Sequence, residues 1–245
     1  MLTVMAPPRR RLVPLLDALA KQHPEVADPE AVVAAQRVRV DGTIVTNPRA
    51  RVRADAGITI RPEDVPRGRD KLGGALRLLG VDVGGHACLD VGASTGGFTL
   101  ALLEGGAARV YAVDVGHGQL LGRLRADPRV VNLERTNVAD LTPAVVPEPV
   151  SRVVVDVSRL SLGEAVRQAT DRVTLAPGAL LVGLVKPMFE LRRGELPTEP
   201  ADLAEACDRA AAAVAGAGWT VLGVIDSPLR GHRGAIEYFL HACRV

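Results

Sequence analysis

From Lys71 onward the chain alternates between two hydrophobic patterns. Short, nearly continuous apolar runs, ACLDVG (87–92), RVYAVDV (109–115), RVVNLE (129–134), RVVVDV (152–157), ALLVGLVK (179–186), WTVLGVID (219–226) and AIEYFLHAC (235–243), predict strands buried on both faces. Between them, segments at 71–80, from Gly97, at 118–125, from Leu162 and at 201–215 space their apolar residues as amphipathic helices do. This alternation predicts an α/β fold with a seven-stranded, mostly parallel sheet covered on both faces. The last two strands are joined by a loop too short for a crossover helix, so one of them runs antiparallel. Ser161-Leu-Gly-Glu164 has the capping-box pattern of a helix start, and Gly216 and Gly218 mark the end of the alanine-rich helix.

The first seventy residues differ. Residues 33–62 carry short alternating runs broken by Asp41-Gly42 and Asn47-Pro48, which predict a small β-rich unit, with helical segments at 12–21 and 29–36 before it. The first ten or so residues read as a flexible arm. PEDVPRGRD (62–70) concentrates proline, glycine and charge as a linker does. A small α+β domain over 1–64 and a large α/β domain over 65–245 follow.

Composition adds the compartment and the partners. Hydrophobic residues make up 47% of the chain, enough for a sizeable core, and no apolar run reaches the roughly 18 residues of a membrane span. Cys88, Cys207 and Cys243 sit in apolar segments far apart, which predicts free thiols in a reducing cytoplasm. The five histidines show no ligand spacing, so no metal is expected. Net charge is only +2, yet residues 1–70 hold 12 Lys/Arg against 9 Asp/Glu. Within that stretch Arg37, Arg39, Arg49, Arg51 and Arg53 are accompanied in their own window only by Asp41. Such a cluster suits a phosphate backbone, and equally a solvated basic face.

Two features carry chemistry. DVGASTGGF (90–98) lies between the sheet's first strand and a helix, where closely spaced glycines let backbone approach a ligand. Asp90, Gly92, Ala93, Ser94, Gly96, Gly97 and Phe98 are therefore candidate binding residues. The loop is neither the G-x-G-x-x-G dinucleotide fingerprint nor a P-loop with its lysine. Asp114 ends the next strand about 20 residues on, where a carboxylate can accept both hydroxyls of a ribose. A nucleotide-like ligand without a phosphate clamp points to S-adenosylmethionine, with NAD as the competing reading. The second feature is a set of charges at element ends: Lys186 closing ALLVGLVK just before Pro187, Asp156 closing VVVD, Glu237 interrupting AIEYFL, and Lys71 opening a helix. Each alone reads as a solvated end. Converging, the two carboxylates would compensate two ammonium groups, and a deprotonated lysine could act as general base toward a hydroxyl.

The motifs DKLGGAL (70–76), CLDVGASTGGFT (88–99), VDVGHGQL (113–120), LERTN (133–137), DVSRLSL (156–162), LVKPMFE (184–190) and SPLRGHRGAIEYFL (227–240) resemble, in this order, the TlyA-type rRNA methyltransferases. That family joins a small ribosomal-protein-S-four-like RNA-binding domain to an FtsJ-like 2′-O-methyltransferase domain. The resemblance runs from about Lys71 to Leu240 and implies a Rossmann-like class I methyltransferase fold using S-adenosylmethionine on ribosomal RNA or a ribosomal subunit. It places Lys71, Asp156, Lys186 and Glu237 at the family's catalytic Lys-Asp-Lys-Glu positions, Gly92 to Phe98 against the cofactor's methionine, Asp114 at its ribose and Asn137 near its adenine. The chain departs from the pattern at Arg159, commonly aromatic, at His117, often tyrosine, at Ala235, often asparagine, and in a short segment after Lys186. These departures leave open a small-molecule hydroxyl as acceptor or a non-catalytic RNA-binding protein.

Overall fold

The computed structural model describes residues 11–61 and 65–244. The expected arm and the start of the linker lie outside those residues. The chain divides into two compact units, Met1–Asp64 and Val65–Val245.

In the first unit, β1 (Leu12–Pro14) runs into α1 (Leu15–Gln22), followed by α2 (Pro29–Ala34), β2 (Val38–Val40), β3 (Thr43–Ile44), β4 (Arg51–Arg53) and β5 (Ile58–Ile60). The helix expected from residue 12 begins only at Leu15, because Leu12–Pro14 pair antiparallel with β4. β2 is flanked by β3 and β5, both antiparallel. Asp41 and Gly42 both adopt positive φ, as a two-residue turn matching strand twist requires, so the predicted Asp-Gly turn closes the β2–β3 hairpin. Leu15, Leu19, Val33, Val38, Val52 and Ile58 form the core of this unit.

The second unit contains α3 (Arg67–Leu79), β6 (Ala87–Val91), α4 (Gly97–Glu104), β7 (Arg109–Asp114), α5 (Gly122–Ala126), β8 (Val130–Glu134), β9 (Val150–Val155), α6 (Leu162–Thr170), β10 (Leu175–Val185), α7 (Pro187–Glu190), α8 (Pro200–Gly216), β11 (Thr220–Asp226) and β12 (Tyr238–Cys243). The seven strands lie in the order β11-β12-β10-β9-β6-β7-β8. β12 is antiparallel to both β10 and β11, which resolves the expected antiparallel member as the last strand. Alternate residues of the central strands face opposite layers. Leu89, Val153, Val155 and Leu181 pack with Leu162, Ala165 and Val214 on one face, while Cys88, Val154, Val182 and Phe239 pack with Leu72, Ala75 and Leu102 on the other. Burying both faces, at roughly 1.5–3 kcal/mol for each large apolar side chain, is what the continuous apolar runs make possible. The chain leaves β6 toward β7 on one side, while β9 lies on the other, so a crevice opens at the carboxyl end of β6.

Some boundaries moved. β10 starts at Leu175 rather than 179 and its pairing with β9 shifts between Leu175 and Leu180, around Gly178 at positive φ. β12 starts at Tyr238 rather than 235, because a 3-10 turn at His232–Gly234 occupies the chain just before it. The capping box at Ser161 and Glu164 is formed in both directions, and α8 stops at Gly216 with Gly218 at positive φ.

Candidate active site

The register of three strands brings the candidate charges to one edge. β10 ends at Val185, paired with Tyr238 at the start of β12, so Lys186 and Glu237 are the next residues beyond the last rung. β9 ends at Val155, paired with Gly183, and Asp156 follows. Lys186, Asp156 and Glu237 thus sit just outside the strands, a correction to the expectation that the first two close their strands and the third interrupts its own. Lys71 lies one turn inside α3 instead of opening it. Pro187 starts α7 at a position where its missing N–H costs no hydrogen bond.

These four side chains form two pairs. Lys71 Nζ lies 2.5 Å from Glu237 Oε2, both buried. Lys186 Nζ lies 2.5 Å from Asp156 Oδ1 and donates to Ser158 Oγ at 3.1 Å. The second pair is more open, with side chains 17% and 27% exposed. Lys186 and Glu237 share the wall of a cavity of about 670 Å³, whose apolar side includes Pro187, Phe189, Leu196 and Ile236. Each ammonium therefore has a carboxylate partner, and one member of each pair, Lys186 and Glu237, borders this pocket. Gly231 makes this possible: a Cβ there would lie 2.2 Å from the Glu237 carboxylate.

A second cavity, of about 590 Å³, lies over the carboxyl ends of β6, β7 and β9, lined by Gly92, Ser94, Asp114, Asn137, Asp156 and Ser158. Ser158 borders both cavities. Gly92 has φ +88°, and a Cβ there would lie 2.1 Å from the Asp156 carbonyl oxygen, so only glycine lets this loop pass the end of β9. Gly96, at φ +94°, caps α4, and Gly97 packs against the backbone of Gly68 in α3. The N–H groups of Gly92 and Ala93 donate to the Val113 carbonyl. Asp114 accepts from the Ser94 N–H at 2.8 Å and the Gly116 N–H at 2.6 Å, which fixes its carboxylate between two loops while each oxygen keeps room for another donor. Asn137 accepts from Ala139 N with its side-chain oxygen, capping a short turn, and its amide NH₂ remains as a donor in the cleft wall.

Asp90 departs from expectation. It is fully buried, accepts the Thr99 hydroxyl at 2.6 Å, and contributes nothing to the cleft wall. Burial pushes its carboxyl up to about 7, and its Oδ1 has no partner among the described residues. Phe98 is also buried, its ring 6.0 Å from that of Phe239, and touches only a smaller cavity beside the loop.

Several contributors carry no sequence signal read above. Glu134, at the end of β8, accepts the N–H groups of Gln119 and Leu120, and these bonds hold its carboxyl down at about 2. It anchors the loop that begins at Asp114. Glu190 is buried and accepts the Leu162 N–H at 2.7 Å, tying α7 to the start of α6, with burial raising its carboxyl. Both carboxylates lie within motifs quoted above, LERTN and LVKPMFE, but their roles depend on contacts distant in sequence.

In the first unit, the five arginines are unequal. Arg49 and Arg51 are exposed, Arg51 donates to the Leu12 carbonyl and Arg37 to that of Arg61, and Arg39 is half-buried in β2. Arg53 lies 3.5 Å from Asp41 and 3.2 Å from Asp55, so Asp41 is not the cluster's only counter-charge. Among the described residues no group of three or more His, Cys, Asp or Glu is placed to hold a metal ion, and no helix is long and apolar enough to cross a membrane.

The strand order, the glycine loop after β6 and a carboxylate ending the adjacent strand define a Rossmann-like methyltransferase fold. The chain belongs to the FtsJ-like methyltransferase family, whose model matches residues 65–244, and within it to the TlyA type. It is 40% identical over 231 residues to a Mycobacterium tuberculosis protein named 16S/23S rRNA (cytidine-2′-O)-methyltransferase TlyA, covering 91% of this chain and 84% of that one. A Campylobacter jejuni protein named 23S rRNA (cytidine-2′-O)-methyltransferase TlyA is 32% identical over 72% of this chain and 70% of its own length. Among solved structures, a Streptococcus thermophilus protein carrying a provisional hemolysin name superposes with a TM-score of 0.69 at 29% identity, covering 96% of this chain and 89% of that one.

Proposed function

We propose that this protein is a cytoplasmic S-adenosylmethionine-dependent methyltransferase that acts on a ribose 2′-hydroxyl of ribosomal RNA. The observation that carries the reading is the pairing of Lys186 with Asp156 and of Lys71 with Glu237, with Lys186 and Glu237 on one cavity wall that adjoins the glycine-loop cleft. Family membership and the names of the two relatives point the same way.

The residues present fit S-adenosylmethionine. Gly92 lets the loop turn tightly past the end of β9 where it borders the cleft, Asp114 offers carboxylate oxygens at a strand end for ribose hydroxyls, and Asn137 offers an amide beside them. When bound, the cofactor supplies a methyl group activated on a sulfonium. The protein must do the rest. A ribose hydroxyl is a weak nucleophile, so its proton has to leave as the new bond forms. Lys186, held between Asp156 and Ser158, takes that proton in its amine form, and the two partners fix the direction of its Nζ. Lys71 stabilises the developing alkoxide, with Glu237 holding it in place and balancing its charge in the closed part of the site. The apolar wall of Phe189, Leu196 and Ile236 excludes water from the reacting oxygen.

The small N-terminal unit, read as ribosomal-protein-S-four-like, would dock RNA through Arg37, Arg49 and Arg51, with Arg39 and Arg53 as lesser contributors. Tritiated methyl transfer from S-adenosylmethionine to isolated ribosomal subunits, naked RNA and small hydroxylated metabolites, compared in one assay, tests the reading. Label is expected in RNA or subunits; label in metabolites alone would overturn it.

A further inference from the structure

We infer that Arg67 binds the carboxylate of the cofactor's methionine moiety, so that α3 serves both ends of the reaction: Arg67 at its start holds the cofactor and Lys71, four residues on, meets the acceptor. The inference rests on the proposed use of S-adenosylmethionine and assigns a binding role to a residue of the stretch PEDVPRGRD, which reads in the sequence as a linker.

A third cavity, of about 500 Å³, lies beside the glycine loop, and its wall includes Arg67, Gly92, Ser94, Thr95, Gly97 and Asp156. Gly92, Ser94 and Asp156 also border the larger cleft that holds Asp114, so the two spaces meet around the loop. A ligand with its ribose at Asp114 would extend its amino-acid end past Gly92 into this smaller space. That end carries a carboxylate, and Arg67 is the arginine in the wall. A guanidinium can grip a carboxylate through two parallel N–H bonds, which gives both strength and direction.

Three observations fix Arg67 for this task. It is the first residue of α3, and the next residue, Gly68, packs on Gly97 at the start of α4, where a Cβ on Gly97 would lie 2.8 Å from the Gly68 Cα. This backbone contact fixes where the Arg67 backbone stands beside the loop. Arg67 is exposed and has no ion-pair or hydrogen-bond partner among the described residues, whereas Arg69, two positions on, is bound at 2.6 Å to both Asp70 and Glu104. Finally, the spacing from Arg67 to Lys71 is about one helical turn, roughly 6 Å, along one face of α3. The methionine chain and the transferring methyl are separate substituents of the sulfonium, so the cofactor's carboxylate and the hydroxyl under attack need separate protein groups.

The test is calorimetric binding of S-adenosylhomocysteine and of 5′-methylthioadenosine, which keeps the adenosyl sulfur but lacks the amino-acid end, to the full-length protein and to Arg67→Gln and Arg67→Lys. Arg67→Gln should weaken S-adenosylhomocysteine by about tenfold to a hundredfold and methylthioadenosine by less than about twofold, as loss of one charge-assisted contact implies. Arg67→Lys, which keeps the charge but loses the fork, should fall between. Equal loss for both ligands, or no loss for either, would overturn the assignment. Failure of the unsubstituted protein to bind S-adenosylhomocysteine would instead refute the cofactor reading on which it rests.

Discussion

Asp90 shows how a single residue can be legible as a motif and misread as a contact. Its place in DVGASTGGF suggested a ligand-facing carboxylate, but it lies buried behind the loop, bound to Thr99. Burial raises its carboxyl from 3.8 to about 7, so the folded protein favours the neutral form. The stability this group contributes is therefore complete below about pH 4 and is lost as pH rises toward 7 and past it. Asp90→Asn removes the ionisation while keeping an oxygen for Thr99. The variant's melting temperature should change less between about pH 5 and 8 than that of the parent, measured by thermal scans at constant ionic strength. An equal slope would show that other groups set it. By contrast, Lys71, Asp156, Lys186 and Glu237 could be picked out because each is a charge that closes an apolar run, interrupts one or opens a helix. Gly231 could not, since its only need for small size is a carboxylate six residues on in a returning chain.

At the scale of elements, the seven strands of the large sheet followed in order from hydrophobic period, and their ends did not. Lys186 reads as the end of its strand and Glu237 as a break within its own, because apolar residues precede the one and flank the other, whereas pairing stops at Val185 and Tyr238. Strand ends are set by where a partner's backbone stops, which one segment's sequence does not contain. The loop after β7 makes the same point. Glu134 holds it by accepting the N–H groups of Gln119 and Leu120, and the carboxyl is depressed from 4.5 to about 2. Its stabilising contribution is thus present above about pH 4.5 and fades as pH falls through 2. Glu134→Ala should speed amide exchange of Gln119 and Leu120 by about tenfold or more, with the central strands β6 and β9 unchanged. Unchanged exchange at both amides would mean the loop is held by other contacts.

At the scale of the whole molecule, two compact units divide the proposed work between RNA docking and methyl transfer. Aromatic residues are only 2% of the chain, so electrostatic contact with folded RNA is favoured over stacking on single strands. RNA affinity should then fall steeply with salt. Arg49→Ala and Arg51→Ala should each lower the slope of log K against log salt by about 1, while Arg53→Ala, whose charge already faces Asp41 and Asp55, should lower it less. Equal slopes in all variants would remove this cluster from the interface. The basic cluster was visible in the sequence, but its internal neutralisation was not, because Asp55 lies outside the window and reaches Arg53 only through the fold. Lys186, aided by Asp156, is the group proposed to drive methyl transfer to a ribose hydroxyl. This role is tested most directly by labelling ribosomal subunits with tritiated S-adenosylmethionine, digesting the RNA to nucleosides and comparing the parent protein with Lys186→Ala. Label is expected in a 2′-O-methylnucleoside with the parent, with a loss of about a hundredfold or more in the variant and S-adenosylhomocysteine affinity retained. Label in base-methylated nucleosides, or undiminished transfer by Lys186→Ala, would contradict that role.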